Sequence, residues 1–243
     1  MPRKWILALL FVVSLVTFLV VLMPAAVLID RVPALRPGGA PLVLEAPRGR
    51  WWQGQVNWRW QQLQGVLDWQ LDWQGLTPGL QVSGRTSSGE EARVSGWLGG
   101  TSQQDWSVEQ LRLRLPVALV AARIPQGNAD GRVDATIMTL KASAGQIEDA
   151  QATLQYSGGT VTWGRNGSAT VPVLEGRVSM EGAVPTLVVT DPEGQRLVNA
   201  SLAEGRFQLA VLRAWPMLLG VSQGGNPDDV VFQMSQPLEL GGG

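Results

Sequence analysis

The chain has 243 residues, a formal net charge of −1, and neither cysteine nor histidine. These absences exclude disulfide bonds, thiolate nucleophiles, Ser-His-Asp triads and the commonest transition-metal ligands. The near-neutral charge argues against nucleic-acid binding, which usually requires a basic patch. We therefore expect a protein that is not an enzyme and that has no metal site or cofactor.

The first predicted element is an apolar segment covering residues 5–29, bounded by Trp5 and Ile29 and free of charged side chains. About 20 such residues form a helix that crosses a bilayer. A cleaved signal peptide is the alternative, but its apolar core is shorter, about 7–15 residues. Arg3 and Lys4 precede the segment, so the positive-inside rule predicts a single-pass signal-anchor with residues 1–4 in the cytoplasm.

Residues 30–47 are rich in proline and glycine, which predicts an extended linker because each proline fixes φ and restricts its predecessor. Residues 48–240 follow as a β domain. A weak repeat of Gly-Arg, strand, glycine turn and second strand begins at Gly49 and again at Gly131. This repeat predicts two similar halves.

Strict alternation of apolar and polar residues marks the strands of this domain. The clearest example sets four apolar residues against three polar ones, namely Leu67, Trp69, Leu71 and Trp73 against Asp68, Gln70 and Asp72. Period-two alternation is typical of half-buried antiparallel strands. On such a strand the two carboxylates lie about 13 Å apart, whereas glycosidase pairs need about 5–9.5 Å, so we interpret them as a solvated face.

Most of the tryptophans are predicted to fill the core of the sheet, because large rings bury much apolar area. Trp51 and Trp52 are adjacent in sequence, and adjacent strand residues point to opposite faces. One of the two therefore has to leave the core. Trp51 is the candidate for an exposed contact.

The later residues continue the same pattern of short strands and glycine turns. Short helices are predicted at 117–124 and near 212–220, and Asp191 to Gly194 fit a type I turn. The predicted fold is mainly β: an N-terminal transmembrane helix, then a many-stranded antiparallel sheet, open, curved or sandwich-like, with one or two short helices.

The run Gly49-Arg-Trp-Trp-Gln-Gly54 resembles the Gly-Thr-x-Trp-x-Gly motif of type II secretion system protein N, also called the general secretion pathway protein N family. Gly49, Trp52 and Gly54 match that motif, and we interpret them as fold-defining. The architecture is also distantly similar to AsmA-like periplasmic proteins.

The resemblance implies a non-enzymatic accessory component of the cell inner membrane in Gram-negative bacteria, with its C-terminal domain in the periplasm. Such a component would take part in export of folded proteins across the outer membrane, in contact with the secretin or the inner-membrane platform. The resemblance implies neither catalytic residues nor a cofactor. The similarity to AsmA-like proteins leaves a second hypothesis, that of a lipid-binding or lipid-shuttling envelope protein.

Overall fold

The computed structural model describes residues 14–15, 18, 21–29, 42–60, 63–87, 92–102, 104–121, 127–164 and 167–237. Most of the predicted anchor at 5–29 lies outside these residues, and its last turn forms helix α1, Ala25–Ile29. Within the described ranges, no helix is long and apolar enough to cross a membrane.

The described chain is dominated by strands, as the alternating patterns predict. Two further short helices are α2, Ala118–Ala121, and α3, Ala214–Leu218. The strands in chain order are β1 Leu42–Arg50, β2 Gln53–Trp60, β3 Leu63–Gln74, β4 Thr77–Thr86, β5 Arg93–Gly100, β6 Trp106–Pro116, β7 Gly127–Ala129, β8 Arg132–Ser143, β9 Gln146–Tyr156, β10 Gly159–Trp163, β11 Gly167–Val171, β12 Leu174–Glu181, β13 Val184–Thr190, β14 Arg196–Ala203, β15 Arg206–Leu212 and β16 Val230–Pro237. The mainly-β prediction is confirmed.

Thirteen of these strands form one antiparallel sheet in the order β1-β2-β3-β4-β5-β6-β8-β9-β12-β13-β14-β15-β16. Nearly every neighbour in the sheet is also the next strand in sequence, because tight turns join successive strands. A small second sheet has the order β11-β10-β7. Strands β1 and β16 are the two ends of the large sheet, which is therefore open in the described part of the chain.

Register aligns a row of apolar residues on one face of the large sheet. One cross-strand row runs without a polar member from β2 to β16, through Val56, Leu67, Gly84, Val94, Leu113, Ala135, Leu154, Gly176, Val189, Val198, Val211 and Phe232. The neighbouring residues in each strand point to the other face, since the side-chain period of a strand is two. We call the two surfaces the apolar face and the polar face.

Only part of the apolar face is covered by a second layer. Leu197 is fully buried in a hydrophobic cluster. Trp215 of α3 and Val161 of the small sheet both pack against this cluster. Among the described residues, strands β1–β6 make extensive contacts only with their hydrogen-bonded neighbours and with two helices. Helix α1 contacts β1, and helix α2 contacts β6. The hydrophobic cluster around Leu197 therefore lies in the second half of the described chain.

Candidate functional site

The family-like motif forms the turn between β1 and β2. Arg50 pairs with Gln53 and Gly49 pairs with Gly54, which leaves two tryptophans in the turn. Gly49 has φ +92°, and a Cβ atom there would lie 2.8 Å from the Cα atom of Gly54. This backbone conformation and this close approach both require glycine.

The second glycine of the motif makes room for a tryptophan ring from the next strand. A Cβ atom on Gly54 would lie 2.5 Å from Cζ2 of Trp69. The ring of Trp69 crosses β2 at this point, and its Nε1–H donates a hydrogen bond of 3.1 Å to the carbonyl oxygen of Trp51. Gly54 thus leaves the space through which the Trp69 side chain of β3 reaches the backbone of the β1–β2 turn.

The tryptophan of the motif joins the turn to the N-terminal segment. Trp52 donates a hydrogen bond of 3.0 Å from Nε1 to the carbonyl oxygen of Val21, and the backbone N–H of Trp51 donates to the carbonyl oxygen of Met23. The guanidinium of Arg50 lies 5.6 Å from the ring centroid of Trp52, within the range of a cation–π contact. The motif therefore holds the first edge of the sheet against residues 21–24, directly before α1.

The tryptophans differ in how deeply their side chains are buried. Trp51, proposed as an exposed contact, is half-buried, and because it lies with Trp52 in the turn, the strand alternation used for that prediction does not apply. The strand pattern predicts Trp73 in the core, but its side chain is 60% exposed because it lies at the end of β3 beside the turn. Trp97 is 2% exposed and lies on the polar face over Gly79 and Gly99.

The carboxylates of the described chain form no group suited to a metal ion, and some of them make structural contacts. Asp68 and Asp72 remain on β3 as predicted, and within the described ranges no three acidic, histidine or cysteine side chains gather at one point. Asp134 has its pKa lowered first by Arg132, 2.8 Å away, and then by Arg114, 2.7 Å away. These ion pairs link β6 to β8 on the polar face.

Two other titratable groups have shifted pKa values with a local cause. The N–H of Ala144 donates to the carboxylate of Asp105 and, with the Ser102 hydroxyl, lowers its pKa. Burial raises the pKa of Tyr156, whose hydroxyl donates a hydrogen bond of 2.7 Å to the carbonyl oxygen of Asp130. Both contacts hold loops against the sheet, and neither has the converging partners of a catalytic group.

The apolar face opens into a cavity of about 420 Å³ over the first six strands, which we call the apolar groove. Its lining comes from every strand from β1 to β6. The lining residues are Leu44, Trp58, Leu63, Leu67, Gly84, Arg85, Thr86, Ala92, Arg93, Val94, Leu113 and Leu115. No local pattern in the sequence predicts this groove, although the alternating residues of β3 contribute one side of it.

The last strand, β16, forms an exposed edge that the strand patterns did not predict. In the described chain β16 pairs with β15 and with no other strand. Val230 and Phe232 are each 53% exposed, and Met234 alone in this strand is half-buried. The run Val-Val-Phe near the C-terminus was the available signal for an apolar exposed edge.

A comparison with protein-family models adds an independent result. The model of type II secretion system (T2SS), protein N, matches residues 40–242. The chain belongs to this family. No curated protein and no solved structure matches the chain.

Membership confirms the resemblance seen in the motif and indicates involvement in type II secretion. The protein N family is a family of secretion accessory components and is not known as an enzyme family. Membership also indicates association with the cell envelope and interaction with other secretion components. The match includes every described strand of both sheets.

Proposed function

We propose that the protein is a non-enzymatic accessory component of the type II secretion system in the inner membrane, and that it acts through protein–protein contacts in the periplasm. The family match over residues 40–242 supports a role in secretion. The charge-free segment at 5–29, preceded by Arg3 and Lys4, supports the proposed membrane attachment and orientation.

The proposed contact is the outer edge of β16. An edge strand presents alternate backbone N–H and C=O groups that an extended segment of another protein can pair with. Val231 is 44% exposed and Phe232 is 53% exposed, which gives a docking strand apolar side chains to cover. The partner is an extended segment of another secretion component, the secretin or the inner-membrane platform.

The single observation that carries this contact is the position of β16 at the end of the large sheet, in the described chain. The opposite end of the sheet is different, because α1 lies beside β1 there, and Pro24 forms an isolated antiparallel β-bridge with Arg50. The apolar, exposed edge thus lies at the end of the sheet away from the N-terminal segment. A partner can therefore reach it without displacing α1.

Site-specific photocrosslinking in intact cells tests the proposed edge. A benzophenone amino acid at Gln233 or at Ser235 should crosslink to a secretion component. The same probe at Ser83, an exposed residue of the central strand β4, is the control and should give no such product. Absence of a crosslink from β16 in secreting cells, or equal products from Ser83, would reject the contact.

A matched pair of double variants tests whether the edge matters for secretion. Gln233→Lys with Ser235→Lys places two lysines on the edge strand, where lysine opposes strand pairing. Gln81→Lys with Ser83→Lys makes the same changes at the same spacing on exposed positions of β4. We expect the edge variant to lose secretion while its amount in the membrane stays constant, and the β4 variant to secrete normally. Equal secretion by both variants would contradict the proposal.

A further inference from the structure

The described residues of the apolar segment at 5–29 have the properties of a helix surrounded by lipid. Residues 14, 15, 18 and 21 are helical, and the N–H of Leu22 donates a hydrogen bond of 3.0 Å to the carbonyl oxygen of Phe18, the spacing of an α-helix. The side chains of Leu15, Phe18 and Val21 are exposed. Exposed apolar side chains on an apolar helix favour acyl chains over water.

The length of this segment sets the depth of its last residues. An α-helix rises 1.5 Å per residue, so a hydrocarbon core of about 30 Å takes about 20 residues. Counted from Trp5, the first residue of the segment, this length ends near Pro24. In the membrane attachment proposed above, residues 21–24 therefore lie where the acyl chains end and the headgroups begin.

The β1–β2 turn is joined to these same residues. Residues 50–52 make three contacts with residues 21–24, namely hydrogen bonds of 3.0 and 3.3 Å and an isolated β-bridge. These contacts fix the turn at the depth of the headgroups. Trp52 suits this position, because tryptophan combines an apolar ring with a polar N–H and is enriched at membrane interfaces.

Two arginines lie on the polar face at this end of the sheet. Register aligns Arg48 with Gln55 and Asp68, and Arg50 with Gln53, and all five residues line a cavity of about 560 Å³ beside the turn. Both arginines are exposed, and neither forms an ion pair with a described residue. Two guanidinium groups against the single carboxylate of Asp68 leave this lining with a net positive charge.

We propose that Arg48 and Arg50 bind the phosphate groups of anionic phospholipids, and that the β1–β2 turn thereby docks the first edge of the sheet on the membrane surface. Guanidinium groups bind phosphate oxygens through charge-assisted, often bidentate hydrogen bonds, and an anionic membrane surface attracts nearby basic residues. Arg50 lies over the ring of Trp52, and a stacked guanidinium keeps its N–H groups available at its edge. This inference rests on the proposed membrane attachment and is independent of the contact at β16.

Chemical modification of arginine tests the contact in the unaltered full-length protein. The protein is reconstituted in nanodiscs of phosphatidylglycerol or of phosphatidylcholine and treated with phenylglyoxal, and mass spectrometry follows each arginine. Arg48 and Arg50 should each react about fivefold more slowly in phosphatidylglycerol. Arg177 and Arg196, exposed residues of β12 and β14, are the internal control and should react equally in both lipids. Equal rates for Arg48 and Arg50 in the two lipids would overturn the proposal.

Energy transfer to the lipid measures the position of the turn. The chain contains no cysteine, so Gln53→Cys and Gln208→Cys each create a unique site for a fluorophore, at the turn and on β15 near the other end of the sheet. An acceptor on the headgroups should receive strong transfer from position 53 and weak transfer from position 208.

Paired arginine variants link this position to the anionic lipid. In phosphatidylglycerol, Arg48→Gln with Arg50→Gln should reduce transfer from position 53, whereas Arg177→Gln with Arg196→Gln should leave it unchanged. Equal transfer from positions 53 and 208 in a protein that resists alkaline extraction would reject the docking alone. Release of the protein by alkaline carbonate would reject the proposed membrane attachment as well.

Discussion

Replacing Gly54 with alanine is the sharpest test of the packing in the first hairpin. The added methyl group would lie 2.5 Å from Cζ2 and 2.9 Å from Cη2 of the Trp69 ring, and would also meet the carbonyl oxygen of Arg48. The backbone oxygen cannot move away freely, so the ring has to shift. A shifted ring loses the hydrogen bond of 3.1 Å from its Nε1–H to Trp51.

The expected loss of stability follows from these contacts. Overpacking costs about 1–3 kcal/mol, the lost hydrogen bond about 1 kcal/mol, and the lower entropy of alanine in the unfolded chain returns about 0.4–1 kcal/mol. Gly54→Ala should therefore destabilise the protein by about 1–3.6 kcal/mol. Gly176→Ala is the control, because its methyl group would meet side-chain atoms of Leu154 and Leu187 at 3.2 and 3.4 Å, and we expect a change within about 1 kcal/mol.

Urea unfolding of the purified full-length protein, followed by circular dichroism, measures both changes. Adding Trp69→Leu to each glycine variant extends the test, since removal of the ring removes its part of the clash. The combined loss for Gly54→Ala with Trp69→Leu should fall below the sum of the single losses by about 1 kcal/mol or more. Additive losses, or a Gly54→Ala variant as stable as Gly176→Ala, would refute this account of the motif.

Three further predictions concern single contacts. Trp52→Phe removes the hydrogen bond to the carbonyl oxygen of Val21, which contributes about 1 kcal/mol. Hydrogen exchange of residues 21–29 should therefore become about five-fold faster, and unchanged exchange would contradict the contact. Tyr156 is the single tyrosine, and burial raises its pKa, so its phenolate absorbance should appear at higher pH in the folded than in the unfolded protein, with stability falling as pH rises above about 10. The N–H of Ala144 lowers the pKa of Asp105, so the stability contributed by this carboxylate is present at neutral pH and is lost as pH falls through the lowered pKa. Melting temperatures of the wild type and Asp105→Asn should thus converge at acidic pH, and a constant difference would count against this contact.

Local patterns in the sequence were sufficient for the strands and for several turns. The alternation at residues 67–73 predicted the two faces of β3, because the side-chain period of a strand is independent of its neighbours, whereas the strand itself is longer and runs from Leu63 to Gln74. The turn at Asp191 is also confirmed, since the N–H of Gly194 donates to the carbonyl oxygen of Asp191 at 3.1 Å. The helix predicted near 212–220 is present as Ala214–Leu218.

The pairing of distant strands could not be obtained in this way. Val161 of β10 pairs with Ala129 of β7, and no local pattern identifies such a partner. The apolar groove has the same origin, because Leu67, Val94 and Leu113 fall into one row only when the register of β3 to β6 is known. The strand propensities of the residues predict each strand by itself, whereas a site on a sheet depends on how the strands align.

The order of strands in the large sheet also sets a distance. Neighbouring strands lie about 4.8 Å apart, so the 13 strands from β1 to β16 extend about 58 Å across the sheet. Each additional hairpin would lengthen this reach by about 10 Å without changing either end. The number of hairpins therefore sets the distance between the edge at β16 and the end of the sheet that lies beside α1.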